Sequence, residues 1–173
     1  GFRSLIFIDK EKTYIQSRNQ NNLTPSFPEL TKIKSNINCK QVVLDGEICY
    51  FNSEGNTNFY ILQKRLHSQK KSIVRKYPVT FIVFDLLSLK NSIYTQPLLK
   101  RKQILKNTIQ NENSILQLSP HTRTQGKKLY EIAKEKNLEG IVAKKIDSPY
   151  KFKRSEKWKK IKIWKYTEVV IGG

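Results

Sequence analysis

The sequence predicts an α+β fold built mainly on antiparallel sheets. Stretches with strand periodicity outnumber those with helical periodicity, and the two do not alternate as they would in a doubly wound fold. Of the 173 residues, 38% are hydrophobic and 27% are charged, which is typical of a globular chain with one core. No apolar run approaches the ~18 residues of a membrane helix. No signal peptide is evident, so we expect no membrane partner.

The predicted elements follow from the spacing of apolar residues. Alternation indicates strands, and apolar residues three and four apart indicate helices. The predicted strands cover 4–8, 13–17, 41–51, 79–87, 113–119, 138–145 and 158–166, and a further apolar strand begins at 168. The predicted helices cover 25–37, 59–67, 98–109 and 126–137, and the lysine-rich stretch 70–76 is expected to be a solvated connection.

The charge points to a polyanionic partner. The formal net charge is +19 at pH 7, with 33 lysine and arginine residues against 14 acidic ones. Such an excess is the electrostatic footprint of a protein that binds nucleic acid. The alternative is a compositional bias toward lysine throughout the proteome of origin. Cys39 and Cys49 have no zinc-ligand spacing, so we expect free thiols in a reducing cytoplasm.

Two stretches near the end of the chain combine charge with strand periodicity. In 138–145 an apolar run follows Glu139 and ends at lysines, which predicts a buried strand with a carboxylate at its mouth. In 157–162 alternation places Trp158, Lys160 and Lys162 on one face. Lysines side by side on one face repel each other, which favours an anionic ligand such as a phosphate. A solvated basic edge strand is the alternative.

Two further positions interrupt apolar strands. Asp45 and Glu47 flank Gly46 inside the strand 41–51. A glycine there indicates a β-bulge or the close approach of a ligand. Glu47 is either a functional carboxylate or a buried one compensated by an arginine. Phe84 lies late in the strand 79–87, where periodicity alone favours core packing.

Seven short segments together resemble the nucleotidyltransferase, or adenylation, domain of ATP-dependent DNA ligases. The likeness is strongest to bacterial and archaeal ligases, including the ligase module of end-joining enzymes. The segments are GFR (1–3), SRN (17–19), DGE (45–47), FDLL (84–87), EGIVAK (139–144), RSEKWKKIK (154–162) and EVVIGG (168–173). Each is weak alone, but they occur in the order and approximate spacing of the family over nearly the whole chain.

The resemblance implies two antiparallel β-sheets flanked by helices, as in the catalytic domains of DNA ligases and mRNA-capping enzymes, with an ATP-grasp-like cleft between them. Residues 1–167 would form the adenylation domain, and 168–173 would begin an OB-fold domain. ATP or AMP would be bound by Arg3, Arg18, Glu47, Phe84, Arg154, Lys160 and Lys162. Among these, Glu47 would contact the ribose and Phe84 would stack on adenine.

The same resemblance assigns the chemistry. Lys160 and Lys162 would be catalytic, because they would stabilise charge at the α-phosphate. Glu139 would bind a divalent metal, Mg²⁺ or Mn²⁺. Arg18 and Lys144 would contact DNA. The attacking lysine of the family precedes, by three positions, the glycine that Gly1 matches, so we expect residues 1–173 alone not to form a covalent AMP adduct.

The resemblance implies a DNA ligase that seals nicks in repair, recombination or replication through lysyl-AMP and DNA-adenylate intermediates. Its partner would be nicked duplex DNA, and the protein would be a monomer of the bacterial or archaeal cytoplasm, associated with the nucleoid. Two alternatives remain at this point. One is an RNA ligase or a capping guanylyltransferase. The other is a non-catalytic nucleotide- or DNA-binding module without a nucleophile.

Overall fold

The structure, a computed structural model, describes residues 1–164. The described strands are β1 (Phe2–Ile8), β2 (Thr13–Ser17), β3 (Val42–Cys49), β4 (Thr80–Leu89), β5 (Asn91–Ser92), β6 (Leu116–Leu118), β7 (Gly140–Lys144) and β8 (Trp158–Lys162). The helices are α1 (Phe59–Leu66), α2 (Lys71–Lys76), α3 (Leu98–Thr108) and α4 (Gly126–Glu135), with a 3₁₀-helix at Pro28–Asn36. The predicted OB-fold start at 168–173 lies outside the described residues. Within 1–164, no helix combines the length and apolarity needed to cross a bilayer.

The strands form two sheets, and both are largely antiparallel. The larger sheet has the order β2-β1-β3-β4-β5, and β6 adds to β4 in parallel. The smaller sheet is the antiparallel pair β7-β8. The α+β prediction with two sheets and flanking helices is therefore confirmed.

The larger sheet has one apolar face and one polar face. Its apolar face packs against the 3₁₀-helix and forms the core, in which Ile6, Ile15, Leu44, Ile48, Phe81 and Val83 have no exposed surface. Because neighbours along a strand point to opposite faces, Arg3, Asp45 and Glu47 lie on the other face. The sequence pattern thus directs the charged residues of β1 and β3 to the side of the sheet away from the core.

The ring of Phe81 explains Gly46. The pairing of β3 with β4 does shift between Asp45 and Gly46, but the extra residue is Phe84 of β4, because Asp45 lies opposite Asp85 and Gly46 lies opposite Val83. The bulge predicted at Gly46 is therefore on the partner strand. A Cβ atom at Gly46 would collide with the ring of Phe81. The close approach that this glycine permits is thus made by the protein's own core.

Two predictions about elements were wrong, and a third was right in position but did not specify the type of helix. Residues 71–76 form a helix rather than a connection, with Ile73 and Val74 half-buried. The predicted helix at 25–37 is a 3₁₀-helix, whose buried residues Leu30, Ile33 and Asn36 recur every three residues, the 3₁₀ period. The strand at 138–145 is not buried, since 51% of Val142 is exposed. Within residues 1–164 its sheet has only two strands, and no residue of β7 or β8 is fully buried.

Two buried arginines join the helices to the rest of the domain. Arg101 of α3 and Asp85 of β4 have no exposed surface, and their side chains form two hydrogen bonds of 2.9 Å each. Arg101 also donates a hydrogen bond of 3.1 Å to the carbonyl oxygen of Ser148. This bond connects the segment before β8 to the same buried pair. Arg65 of α1 forms a similar pair with Glu29, at 2.9 and 3.0 Å.

We expect Arg101→Met to lower the free energy of unfolding by about 3–5 kcal/mol, because it leaves the Asp85 carboxylate buried without its cation. Urea denaturation followed by tryptophan fluorescence measures this. Arg123→Met removes the same charge from an exposed position and serves as the control. Similar losses in the two variants would contradict a special role for the buried pair.

Candidate active site

A cavity of about 940 Å³ opens between the polar face of the larger sheet and β8. Its wall comes from β1, β2, the segment 149–156 and β8. Five of the residues predicted from the sequence line it: Arg3, Arg18, Arg154, Lys160 and Lys162. Five cations that are far apart in the sequence thus face one concave surface, which is an arrangement suited to a phosphorylated ligand.

The register of the smaller sheet decides which lysines face this cavity. Lys160 lies opposite Val142, and Lys162 lies opposite Gly140. Alternate residues of a strand share a face, so Trp158, Lys160 and Lys162 project to the same side, as predicted. Lys159 projects to the other side. Lys160 and Lys162 line the cavity and Lys159 does not.

Gly140 is required where β7 meets the end of β8. Its φ is +143°, a conformation that side-chain-bearing residues rarely adopt. A Cβ atom there would also collide with the backbone of Ile161 and Lys162. The glycine after Glu139 therefore allows β8 to approach closely enough to hold Lys162 beside the start of β7.

Glu139 is paired with a lysine of the cavity wall, but Glu139 itself lines a separate, smaller cavity with Asn56, Thr57 and Lys136. The Nζ of Lys160 donates to its Oε1 at 2.5 Å, and 76% of the Glu139 side chain is exposed. This hydrogen bond, with the charges of Lys160 and Lys162, lowers the pKa of Glu139 below its usual range. The carboxylate is thus ionised at neutral pH, and Lys160 is the cation that compensates it.

A divalent metal at Glu139 would need ligands from a bound phosphate. Within residues 1–164, no group of three or more histidine, cysteine, aspartate or glutamate side chains is placed to hold an ion. Mg²⁺ is commonly held by one or two carboxylates together with substrate phosphates and water. One exposed, ionised carboxylate beside a cationic cavity fits that pattern, and it does not fit a site made by protein ligands alone.

The buried carboxylate of the DGE segment is Asp45, not Glu47. Asp45 has no exposed surface, whereas 44% of the Glu47 side chain is exposed. Arg3 donates to Asp45 through Nε at 3.2 Å and Nη2 at 2.8 Å. The hydroxyl of Tyr150 donates to the same carboxylate at 2.8 Å. Burial raises the pKa of Asp45, and the hydrogen bonds from Arg3 and Tyr150 oppose that shift.

Phe84 belongs to a cluster of rings and cations behind the cavity wall. It is half-buried rather than part of the core, and its ring meets that of Trp158 edge to face at 6.1 Å. The Arg3 guanidinium lies 5.5 Å from the Phe84 ring centre. The Nζ of Lys144 lies 4.1 Å from the Phe84 ring and 3.7 Å from the Trp158 ring. Lys144 is therefore held against aromatic rings and not on an open surface.

Asp45 and Tyr150 are two residues of the site for which the sequence predicted no role. Alternation along β3 places Asp45 on the same face as Glu47, so that signal was present in the sequence. Tyr150 gave no such signal, because it begins an irregular basic segment without periodicity. Its contact with Asp45 joins residues 105 positions apart, and only the fold brings them together.

The burial of Lys144 predicts that the free energy of unfolding depends on pH. Burial lowers its pKa to about 7 from the ordinary 10.5, although the charge of Asp85 opposes the shift. Between these values the unfolded lysine binds a proton that the folded one does not, so stability rises with pH in this window. Below about pH 7 both states are protonated, and the cost of the buried charge is present in full.

We therefore expect Lys144→Met to be more stable than the parent chain at pH 6, and the difference to shrink as pH rises from 7 toward 10. Urea denaturation at a series of pH values measures it. Lys145→Met, at a side chain that is 55% exposed, is the control and should show no such trend. A difference between parent and Lys144→Met that is constant with pH would contradict the prediction.

Comparison with known proteins gives the family that the seven sequence segments resemble. The family model described as the ATP dependent DNA ligase domain matches residues 1–162. The chain is 34% identical to the SPbeta prophage-derived DNA ligase-like protein LigB of Bacillus subtilis, and the match covers 100% of the chain and 62% of that protein. It is 32% identical to the multifunctional non-homologous end joining protein LigD of Mycolicibacterium smegmatis, over 100% of the chain and 22% of LigD.

A solved structure extends the comparison to the fold. The mycobacterial DNA ligase D complexed with ATP and MES superimposes with a TM-score of 0.77 at 25% identity, over 95% of this chain and 52% of that one. The chain spans less than two thirds of the length of each of these three proteins. With a family match over residues 1–162 and a common fold, the chain belongs to the family of ATP-dependent DNA ligase domains.

Proposed function

We propose that this chain is most of the adenylation domain of an ATP-dependent DNA ligase, and that it binds ATP in the cavity between the two sheets. The observation that carries the proposal is the convergence of Arg3, Arg18, Arg154, Lys160 and Lys162 on one cavity. An ionised carboxylate, Glu139, borders these cations. A triphosphate is the ligand whose charge such a wall would neutralise.

Different residues would bind the phosphates, the adenine and the ribose of the nucleotide. Lys162 and Lys160, on the face of β8 toward the cavity, would neutralise the charge that develops at the α-phosphate during transfer. Arg154 would contact phosphate from the segment 149–156. Phe84 would stack on adenine, after Lys144 has moved away from its ring. Glu47, which is exposed on the polar face of β3, would contact the ribose.

The reaction is nucleotidyl transfer through a covalent enzyme intermediate. A lysine amine would attack the α-phosphorus of ATP, forming a phosphorus–nitrogen bond and releasing pyrophosphate. In the family motif that lysine comes three positions before the glycine matched by Gly1. Bound at Glu139, Mg²⁺ or Mn²⁺ would supply charge neutralisation for the phosphates. Lys160, released from Glu139, would then be free to donate to phosphate oxygens.

The second half of the reaction needs DNA. AMP would pass from the lysine to a 5′-phosphate at a nick, and a 3′-hydroxyl would displace it to seal the strand. The net charge of +19 supports a duplex partner bound through its phosphates. Arg18, exposed on the cavity rim, would be one such contact. We propose that this sealing reaction serves DNA repair, and that it extends to recombination or replication.

We expect the chain to bind ATP more tightly than GTP, and Lys162→Gln to weaken ATP binding about tenfold, because a hydrogen bond between charged groups is lost. Isothermal titration calorimetry measures the affinities. Lys159→Gln removes the same charge from the opposite face of the same strand and should leave the affinity unchanged. Equal binding of ATP and GTP would favour the capping-type alternative, and equal effects of the two variants would contradict the site.

We expect duplex DNA to bind weakly, without sequence preference, and with a log–log salt slope of about −0.9 per phosphate contact. Arg18→Gln should make that slope shallower by about one contact. Lys32→Gln, at an exposed position of the 3₁₀-helix on the core side of the larger sheet, is the control. Fluorescence anisotropy over a range of salt concentrations measures the slope. An affinity that does not depend on salt would contradict a phosphate-mediated interaction.

A further inference from the structure

We propose that Tyr150 is a positioning residue for Arg3. It would hold the guanidinium so that one edge faces the cavity for the nucleotide. The inference rests on the proposed function, because it takes the cavity to be the ATP site. Tyr150 lies outside the seven segments that resemble the ligase family.

Hydrogen bonds among Arg3, Asp45 and Tyr150 fix the orientation of the Arg3 guanidinium. Its Nε and Nη2 both donate to the Asp45 carboxylate, at 3.2 and 2.8 Å. Nη2 also donates to the Tyr150 hydroxyl at 3.2 Å, and that hydroxyl donates to Asp45 at 2.8 Å. Within the described part of the chain, no hydrogen bond uses Nη1 of Arg3. The guanidinium therefore has one edge fixed on the sheet and keeps the two donors of Nη1 for a ligand.

Burial makes this arrangement stiff. Asp45 has no exposed surface and Tyr150 is 7% exposed, whereas 43% of the Arg3 side chain is exposed. Burial raises the pKa of the Tyr150 hydroxyl, as does the charge of Asp45, so the group stays protonated and remains a donor. The exposed partner, Arg3, is thus held by two buried ones. Asp45 and Tyr150 hold the Arg3 guanidinium from the interior of the protein, and its Nη1 edge is left toward the cavity.

The tyrosine ring connects this anchor to the other wall of the cavity. It meets the ring of Trp158 at 5.7 Å and that of Phe152 at 5.1 Å, both edge to face. Trp158 begins β8, which carries Lys160 and Lys162, and Phe152 lies in the segment that carries Arg154. Tyr150 therefore fixes the distance between Arg3 on the larger sheet and the phosphate-facing cations on the smaller one.

The test is Tyr150→Phe, which removes the hydroxyl and keeps the ring. We expect the ATP dissociation constant to rise about fivefold to tenfold, since Arg3 would lose part of its fixed orientation. Tyr94→Phe is the matched control: Tyr94 packs against the same Phe152 ring at 5.2 Å, and its hydroxyl makes no hydrogen bond among the described residues. The control should bind ATP as the parent chain does.

A double-mutant cycle distinguishes positioning from a general structural role. Arg3→Lys keeps a cation beside Asp45 but removes the Nη1 donors, so it should weaken ATP binding on its own. In that background Tyr150→Phe should weaken ATP binding no further. Thermal unfolding is recorded for every variant. The Nε–H resonance of Arg3 in the nucleotide-free chain gives an independent readout, and its exchange with solvent should quicken in Tyr150→Phe.

Each outcome decides the matter. Loss of affinity in Tyr150→Phe that depends on Arg3 supports the proposal. An unchanged affinity, or an equal loss with and without Arg3, overturns it, even if the variant melts at a lower temperature. Failure of the parent chain to bind ATP would overturn the proposed function, and this inference with it. Normal ATP binding by both the parent and Tyr150→Phe would overturn only the role of Tyr150.

Discussion

A carboxylate without access to water is the constraint around which the candidate site is arranged. An ionised group in that position is costly unless cations and hydrogen-bond donors surround it. Asp45 receives both from Arg3 and Tyr150, and neither partner comes from its own strand. Satisfying Asp45 therefore requires β1 and the segment before β8 to be in their native places. The cavity forms between those same elements.

A second buried carboxylate makes the same connection from the helical side. Asp85 lies beside Asp45 in the β3–β4 register and is compensated by Arg101 of α3. Arg101 in turn donates to the carbonyl of Ser148, two residues before Tyr150. Two aspartates placed side by side thus bring an arginine from α3 and a tyrosine from an irregular segment to neighbouring points. Charge compensation, rather than continuous sheet pairing, ties the segment before β8 to the larger sheet.

The sequence predicted those parts of the fold and site that depend on local spacing. Alternation was enough to place Lys160 and Lys162 on one face of β8, and apolar spacing was enough to find most strands and helices. It failed where tertiary contacts decide. The burial of β7 depends on what covers the strand, and the period of three at Leu30, Ile33 and Asn36 resembles a helical pattern until the packing is seen. The partners of Asp45 are too distant in sequence for any pattern to reveal.

The cations of the site are not all held equally firmly by their partners. Arg3 is fixed by buried partners, but among residues 1–164 Lys160 is held only by Glu139, at a contact exposed to solvent. Surface ion pairs contribute little to stability, so breaking this one for the proposed phosphate or metal ion would cost little. Lys144 occupies the face of Phe84, where its buried charge is unfavourable, so under the proposed function its displacement by a neutral base would remove a cost. The site thus combines one cation fixed by buried partners with neighbours whose present partners are the ones that the proposed nucleotide would replace.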